Sequence, residues 1–190
     1  MVKDHGTIFY NYGVHSITTT PDNKWLFAIS KIGRLKQISL ESQQVVHDYG
    51  QIHDHAVSCL ETTSDSKWVI TGSADHRVKR ISVGNREVDE DFGHLGDQLI
   101  WKMKIMADDE RLLVGDFDAN LKLISFRDGE VIKDFGRAHD DSITGIVITA
   151  DQKFFLTSSC NGELKQWNCE DNTLVRDHGR IIDNIHYLCL

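Results

Sequence analysis

Short runs of β-branched and aromatic residues follow one another along the chain, separated by small polar clusters, and the whole pattern returns every 43 residues without insertion or deletion. Val14, Val57, Ile100 and Ile143 head the four copies. The first run of a copy, such as Val57-Ser-Cys-Leu-Glu-Thr62 or Ile143-Thr-Gly-Ile-Val-Ile148, has strand composition. Its apolar positions, Ile143, Ile146 and Ile148, are spaced three and then two. Regular pleating keeps a spacing of two, so a β-bulge is predicted just after the first position, turning residues such as Trp101 and Lys102 toward the strand end. The second run is Trp25 to Ile29, Trp68 to Thr71, Arg111 to Val114 and Phe154 to Thr157. The third is Arg34 to Ile38, Arg77 to Ile81, Asn120 to Ile124 and Glu163 to Trp167. The fourth, Val45 to Asp48, Glu87 to Asp91, Glu130 to Asp134 and Leu174 to Asp177, is expected to end at a glycine able to turn with positive φ.

Polar columns punctuate these strands. Asp22, Asp65, Asp108 and Asp151 sit in the turns Pro21-Asp-Asn-Lys24, Ser64-Asp-Ser-Lys67, Ala107-Asp-Asp-Glu110 and Ala150-Asp-Gln-Lys153. Asp suits them because its carboxylate accepts backbone N–H bonds within a turn. Lys36, Lys79, Lys122 and Lys165 are expected to lay their aliphatic stems on neighbouring side chains and hold their ammonium groups in solvent. Asp48, Asp91, Asp134 and Asp177 stand two places before a glycine, and Asp54, Asp97, Asp140 and Asp183 four places after it. Four strands in a repeat of this length describe a propeller blade.

The residues resemble the WD-repeat family of β-propellers. The fourth copy carries the resemblance best, with His139, Ala150-Asp-Gln-Lys153, Asn161-Gly162 and Leu164-Lys-Gln-Trp-Asn168 at matching spacings. The resemblance implies a hydrogen-bonded His, Ser or Thr, Asp and Trp set in each blade. The second copy has His53, Thr71 and Asp75 but Ile81 in place of Trp, and the fourth has His139, Thr157, Asn161 and Trp167. The first, with Tyr10, Ala28, Ile32 and Ile38, has none, so rigidity from this network is not assumed. The expected fold is all-β: a β-propeller of WD-repeat type, four four-stranded antiparallel blades forming an open arc or part of a larger ring.

The expected organisation is one array over residues 1–190. Residues 1–13 read as the outer strand of a preceding blade with its connection, because Met1 to Gly6 matches the strand end at Val131 to Gly136. Repeats then span 14–56, 57–99, 100–142 and 143–185, and 186–190 begin a fifth. Propellers use about four to eight blades, so four blades with partial flanks are expected to belong to a longer array or to be completed by another chain, a second copy included.

Composition narrows the function classes. The hydrophobic content of 40% is ordinary for a globular chain, and the net charge of -8 with dispersed Lys and Arg argues against a nucleic-acid surface. Thirteen of the 29 acidic residues lie in the repeated columns or at Asp4, so the acidity belongs to the scaffold. Cys59, Cys160, Cys169 and Cys189 occupy four different repeat positions with no C-x-x-C pair, and no organised disulfide or zinc framework is expected. No signal-like N-terminus or apolar stretch near 18 residues is present, so the expectation is no membrane and a cytoplasmic, reducing compartment.

Two local motifs are absorbed by the repeat. Asp91-Phe-Gly93 and Asp134-Phe-Gly136 spell a kinase magnesium motif, but Asp48-Tyr-Gly50 and Asp177-His-Gly179 share their column and the other kinase elements are missing from the sequence. His53-Asp-His55 lacks a third metal ligand at defined spacing, so neither a metal nor a cofactor is expected.

A repeat of fixed loop length offers no elaborated loop for chemistry, so the expectation is a non-catalytic protein-interaction scaffold, not an enzyme, binding through its loop rim and exposed blade edges. A structural segment of a large intracellular assembly is the alternative, and an enzyme working in a carboxylate-lined channel the third reading. The resemblance implies docking on the rim made by the loops before the first strand and between the second and third strands. Mapped on this sequence, that gives Lys31, His55, Ala74, Trp101, Lys102, Phe117, Ser142 and Cys160. Trp101 and Phe117 are the expected anchors, since exposed aromatics dominate interfaces, with the filling of gaps between blades as their other reading.

Overall fold

A computed structural model describes residues 8–9 and 13–181. They form sixteen strands. The first sheet holds β1 (Val14–Thr19), β2 (Trp25–Ser30), β3 (Arg34–Ser39) and β4 (Val45–Gln51). The second holds β5 (Val57–Thr62), β6 (Trp68–Ser73), β7 (Arg77–Ser82) and β8 (Glu87–His94). The third holds β9 (Ile100–Ile105), β10 (Arg111–Asp116), β11 (Asn120–Ser125) and β12 (Val131–Arg137), and the fourth β13 (Ile143–Ile148), β14 (Phe154–Ser159), β15 (Glu163–Asn168) and β16 (Leu174–Arg180). Each sheet is an antiparallel meander whose strands pair in chain order, so each 43-residue copy is one four-stranded blade. The partial strands expected at Met1 to Gly6 and at His186 to Leu190 lie outside the described residues. Among the described residues no helix is long and apolar enough to cross a membrane.

The bulge predicted in the first strand is present in all four sheets. Register shifts between Val14 and Ser16, Val57 and Cys59, and Ile143 and Gly145, and Asp116 pairs with Ile100 while Gly115 pairs with Lys102. His15, Ser58, Trp101 and Thr144 are the extra residues. The fourth strand departs from expectation: it runs through its glycine to Gln51, His94, Arg137 or Arg180. Gly50, at φ 73°, pairs with Leu35 while Asp48 pairs with Lys36, so the glycine sits beside a bulge within the strand and does not end it.

The aspartate turns form as expected, with a partner the repeat columns had not singled out. Asp22 Oδ1 accepts from Lys24 N (3.1 Å) and from the Thr20 hydroxyl (2.6 Å), and Thr20 Oγ1 accepts from Trp25 N (3.2 Å). Thr63 with Asp65 and Thr149 with Asp151 repeat the device. In the third blade Met106 replaces the threonine, and Asp108 Oδ2 accepts from Arg111 Nε at 2.6 Å.

The lysine column corrects the sequence expectation. The side chains of Lys36, Lys79 and Lys165 are only 18–20% exposed, and their ammonium groups are not held in solvent. Lys36 Nζ donates to Ile8 O (2.9 Å), Lys79 Nζ to Ile52 O (2.8 Å) and Lys165 Nζ to Ala138 O (2.7 Å). The same groups lie 3.4–3.7 Å from Asp48, Asp91 and Asp177. The other oxygen of each aspartate accepts from the glycine N–H two residues on, at 2.8–3.0 Å. Burying these loop carbonyls would be costly without a donor, and the lysine supplies one with its charge already compensated. The Asp-Phe-Gly triplets are therefore scaffold, as the repeat implied.

The chain divides into two compact units, Met1–Asp97 and Gln98–Leu190. In the first, Phe27, Ile29 and Leu35 of one blade pack with Val57, Val69 and Ile81 of the next. In the second, Leu113, Leu121 and Leu123 pack with Ile143, Phe155 and Trp167. Middle strands are covered on both faces, which is why Trp25 to Ile29 reads as a near-continuous apolar run, whereas outer strands such as β16 are exposed throughout. The loops are tightly set against each other: a Cβ on Gly33, at φ +76°, would stand 2.6 Å from His53 O.

Candidate functional site

Among the described residues, the histidine network closes in two blades at the loop ends. In the second, His53 Nδ1 lies 2.8 Å from Asp75 Oδ2 and Nε2 lies 2.7 Å from Thr71 Oγ1. A carboxylate only accepts, so Nδ1 carries the hydrogen and Nε2 takes the threonine hydroxyl proton. Asp75 also accepts from Asp54 N at 3.1 Å, which ties the loop before β5 to the turn after β6. The absent tryptophan, replaced by Ile81, does not prevent this closure. In the fourth blade His139 Nε2 lies 2.7 Å from Thr157 Oγ1, which accepts from Trp167 Nε1 at 2.9 Å.

The acid of the fourth blade is Glu163, not a residue at the Asn161 position. Glu163 Oε2 lies 3.3 Å from His139 Nδ1 and accepts from Asp140 N at 3.1 Å. Asn161 Oδ1 instead accepts from the Ser159 hydroxyl (2.6 Å), and its amide donates to Glu163 (3.1 Å). The longer glutamate, two residues further on, reaches the ring that the neutral asparagine does not hold. The visible signal was a carboxylate at the start of the third strand beside an uncharged residue in the acid column.

Burial pushes both imidazoles below the ordinary value of 6.5, outweighing the upward pull of Asp75 and Glu163. Both rings are accordingly neutral at neutral pH. An unfolded chain would protonate them first, so their contribution to stability is full above about pH 6.5 and is lost as pH falls toward the lowered folded values. Burial also acts to raise Asp75, but His53 and the amides of Asp54 and Arg77 hold it below its ordinary value, so its contribution is lost only at still lower pH. Urea midpoints measured across about pH 7.5 to 5 should fall as pH falls through the histidine range. A flat profile there would contradict the buried neutral assignment.

The rim residues of the first unit, Lys31, His55 and Ala74, separate into two settings. Lys31 is exposed in the turn between β2 and β3. Exposed His55 and half-buried Ala74 border a polar cavity of about 330 Å³. His76, Arg77 and His94, which the sequence had not marked, complete its wall with Asp54 and Asp75. The His76 and His94 rings meet edge to face at 6.0 Å, and Arg77 is held at 2.9 Å by Asp91.

The second unit gathers the remaining candidates. Trp101 is the bulged residue of β9, and Phe117 begins the turn after β10. Their rings meet edge to face at 5.8 Å and 81°. Phe117 is 47% exposed, and Lys102 Nζ stands 5.9 Å from the centre of the Trp101 ring. Ser142 is buried, its hydroxyl donating to Phe117 O at 2.6 Å and its carbonyl accepting from Cys160 N at 2.9 Å. Cys160 is disulfide-bonded, whereas the scattered spacing gave no expectation of an organised disulfide framework; Cys59 and Cys169 are thiols. Ser142 and the Cys160 backbone thus anchor the turn that carries Phe117.

Asp118, beside Phe117, was missed. It occupies the acid column of Asp75, but Gly96 and Val114 stand where the second blade has His53 and Thr71. A column-by-column reading of the third repeat would have shown that this carboxylate has lost its partners.

Segments 45–80 and 129–168 match the WD domain, G-beta repeat family. Those two segments are WD40 repeats, and the four antiparallel four-stranded sheets are consistent with WD40 β-propeller blades. Both matches run from an outer strand into the following blade, and they include His53 and His139. Comparison with curated proteins finds no match. WD40 repeats generally mediate protein–protein interaction, and the family is typically non-enzymatic.

Proposed function

We propose that the chain is a non-catalytic scaffold that docks a partner protein on the loop rim of its second unit, with Trp101 and Phe117 as anchors. The observation that carries this reading is the edge-to-face aromatic pair, one ring of which is about half exposed, mounted on a bulged strand and a buttressed turn. Aromatic side chains gain most from being covered at an interface, and a rigid mount lowers the entropy lost on docking. The repeated aspartates favour this over a channel enzyme, because their oxygens are already used by turn amides and by the lysine column. A permanent structural segment of a larger assembly would use the same surface and differ in stoichiometry and lifetime.

The test compares the wild-type chain with Trp101→Ala and Phe117→Ala as baits for partner capture from the source cell, with quantitative mass spectrometry as readout. Each substitution should lower recovery of the captured partner about tenfold while the urea midpoint stays close to wild type. Recovery unchanged in both variants would remove this rim from consideration.

A further inference from the structure

The third blade leaves an acid without the task its column has elsewhere. Asp75 is buried against His53, whereas Asp118 is exposed and makes no hydrogen bond or ion pair among the described residues. Gly96 and Val114 offer no side-chain donor in the places of His53 and Thr71. A carboxylate freed in this way is held next to Phe117 by the chain itself. The Ser142 contact to Phe117 O brings the loop carrying Asp140 and Asp141, both exposed, to the same turn. Asp116, whose carboxylate holds Asn120, adds a further negative charge there. Against these four acids stand Lys102, over the Trp101 ring, and Arg137, whose guanidinium donates to Asp140 O at 2.7 Å.

We propose that Trp101, Phe117 and Asp118 form a recognition site for a basic side chain of a partner peptide, arginine in preference to lysine. Charge complementarity selects the occupant: the aromatic faces accept a cation, and the acids around them repel an acidic or phosphorylated segment. Arginine fits better than lysine because its planar guanidinium stacks on a ring while donating two parallel bonds to a carboxylate. Lys102 then has a defined part. In the free chain it occupies the cation position over Trp101, and the incoming arginine must displace it. The inference rests on the docking role proposed for this rim and adds the chemistry of the partner.

The experiment titrates the full chain by calorimetry with a blocked arginine-containing hexapeptide and with its lysine and glutamate counterparts, and the Trp101 indole N–H resonance of the wild-type chain locates the bound peptide. The arginine peptide should bind most tightly and the glutamate peptide least. Asp118→Asn and Trp101→Ala should each weaken the arginine peptide about tenfold. Glu170→Gln, which removes one charge from an exposed turn between β15 and β16, should leave it unchanged. Lys102→Ala should tighten it several-fold, a result that a merely structural Lys102 would not produce. Equal weakening by Asp118→Asn and Glu170→Gln would mean that only net charge is being read and would overturn the inference. Tighter binding of the glutamate peptide, or weaker arginine binding in Lys102→Ala, would overturn it as well. If Trp101→Ala abolishes partner capture while no arginine peptide binds, the docking role stands and the basic partner does not; if capture is indifferent to Trp101, the docking role itself fails.

Discussion

Phe155→Ala is expected to lower the unfolding free energy by about 3–5 kcal/mol, the largest single-residue effect foreseen for this chain. Phe155 has no exposed surface and stacks on Trp167 with ring centres 5.9 Å apart and planes 7° apart. Phe135 closes the cluster, edge-on to Phe155 at 6.0 Å and to Trp167 at 5.2 Å. Truncation removes the transfer energy of the ring and leaves a void that the cluster cannot fill. Phe155 pairs directly with Trp167 across β14 and β15, and the strand ladder prevents those backbones from moving together. Urea unfolding followed by tryptophan fluorescence and by circular dichroism reads the effect. Phe155→Leu, which retains most of the volume, should recover more than half of the loss. A loss below about 1 kcal/mol for Phe155→Ala would show that this cluster is not a principal support of the unit.

Thr157→Val should cost about 3 kcal/mol although the side chain keeps its shape. The fully buried hydroxyl is the joint between two buried groups: it gives its proton to His139 Nε2 and receives the Trp167 indole proton. Removing it strands an acceptor and a donor together, at about 1–3 kcal/mol for each unsatisfied group. Thr157→Ser retains the hydroxyl and should lie much closer to wild type. Thr71→Val offers an internal comparison, because Thr71 joins His53 but Ile81, which has no N–H to strand, takes the column of Trp167, and its loss should be smaller. Hydrogen exchange at the Trp167 indole separates the proposed joint from a general packing loss: the rate should rise in Thr157→Val and stay low in Thr157→Ser. Equal stability losses for valine and serine would assign the effect to packing instead of the hydroxyl.

Several features were legible in residue order because they are local. The bulge follows from apolar spacing in Ile143, Ile146 and Ile148, and the turns follow from an aspartate able to accept amides two residues away. The period itself demoted the Asp-Phe-Gly triplets, since Asp48 and Asp177 make the same glycine contact as Asp91 and Asp134. Other features were not legible. Each lysine of the third strand is expected in solvent because its stem can cover apolar surface, yet Lys165 Nζ meets a carbonyl 27 residues earlier. In the fourth blade the aspartate column holds Asn161, while reach and charge select Glu163 as the acid at the histidine.

The candidate site shows the same division. Trp101 and Phe117 were identifiable as unusual aromatics on the loop rim, and their positions, one at a bulge and one after a second strand, came from the repeat. Their edge-to-face contact, the serine beneath Phe117 and the unpartnered Asp118 required the fold.

Taken alone, residue order determined the 43-residue period, four strands per repeat, the bulges and the turns, because each depends on steric and hydrogen-bonding preferences acting over a few neighbouring residues. Tertiary structure decided which polar groups are buried with partners and which are left exposed. That choice depends on distances between residues far apart in the chain, such as Ser142 and Phe117 or His139 and Glu163, which only strand pairing and blade packing set.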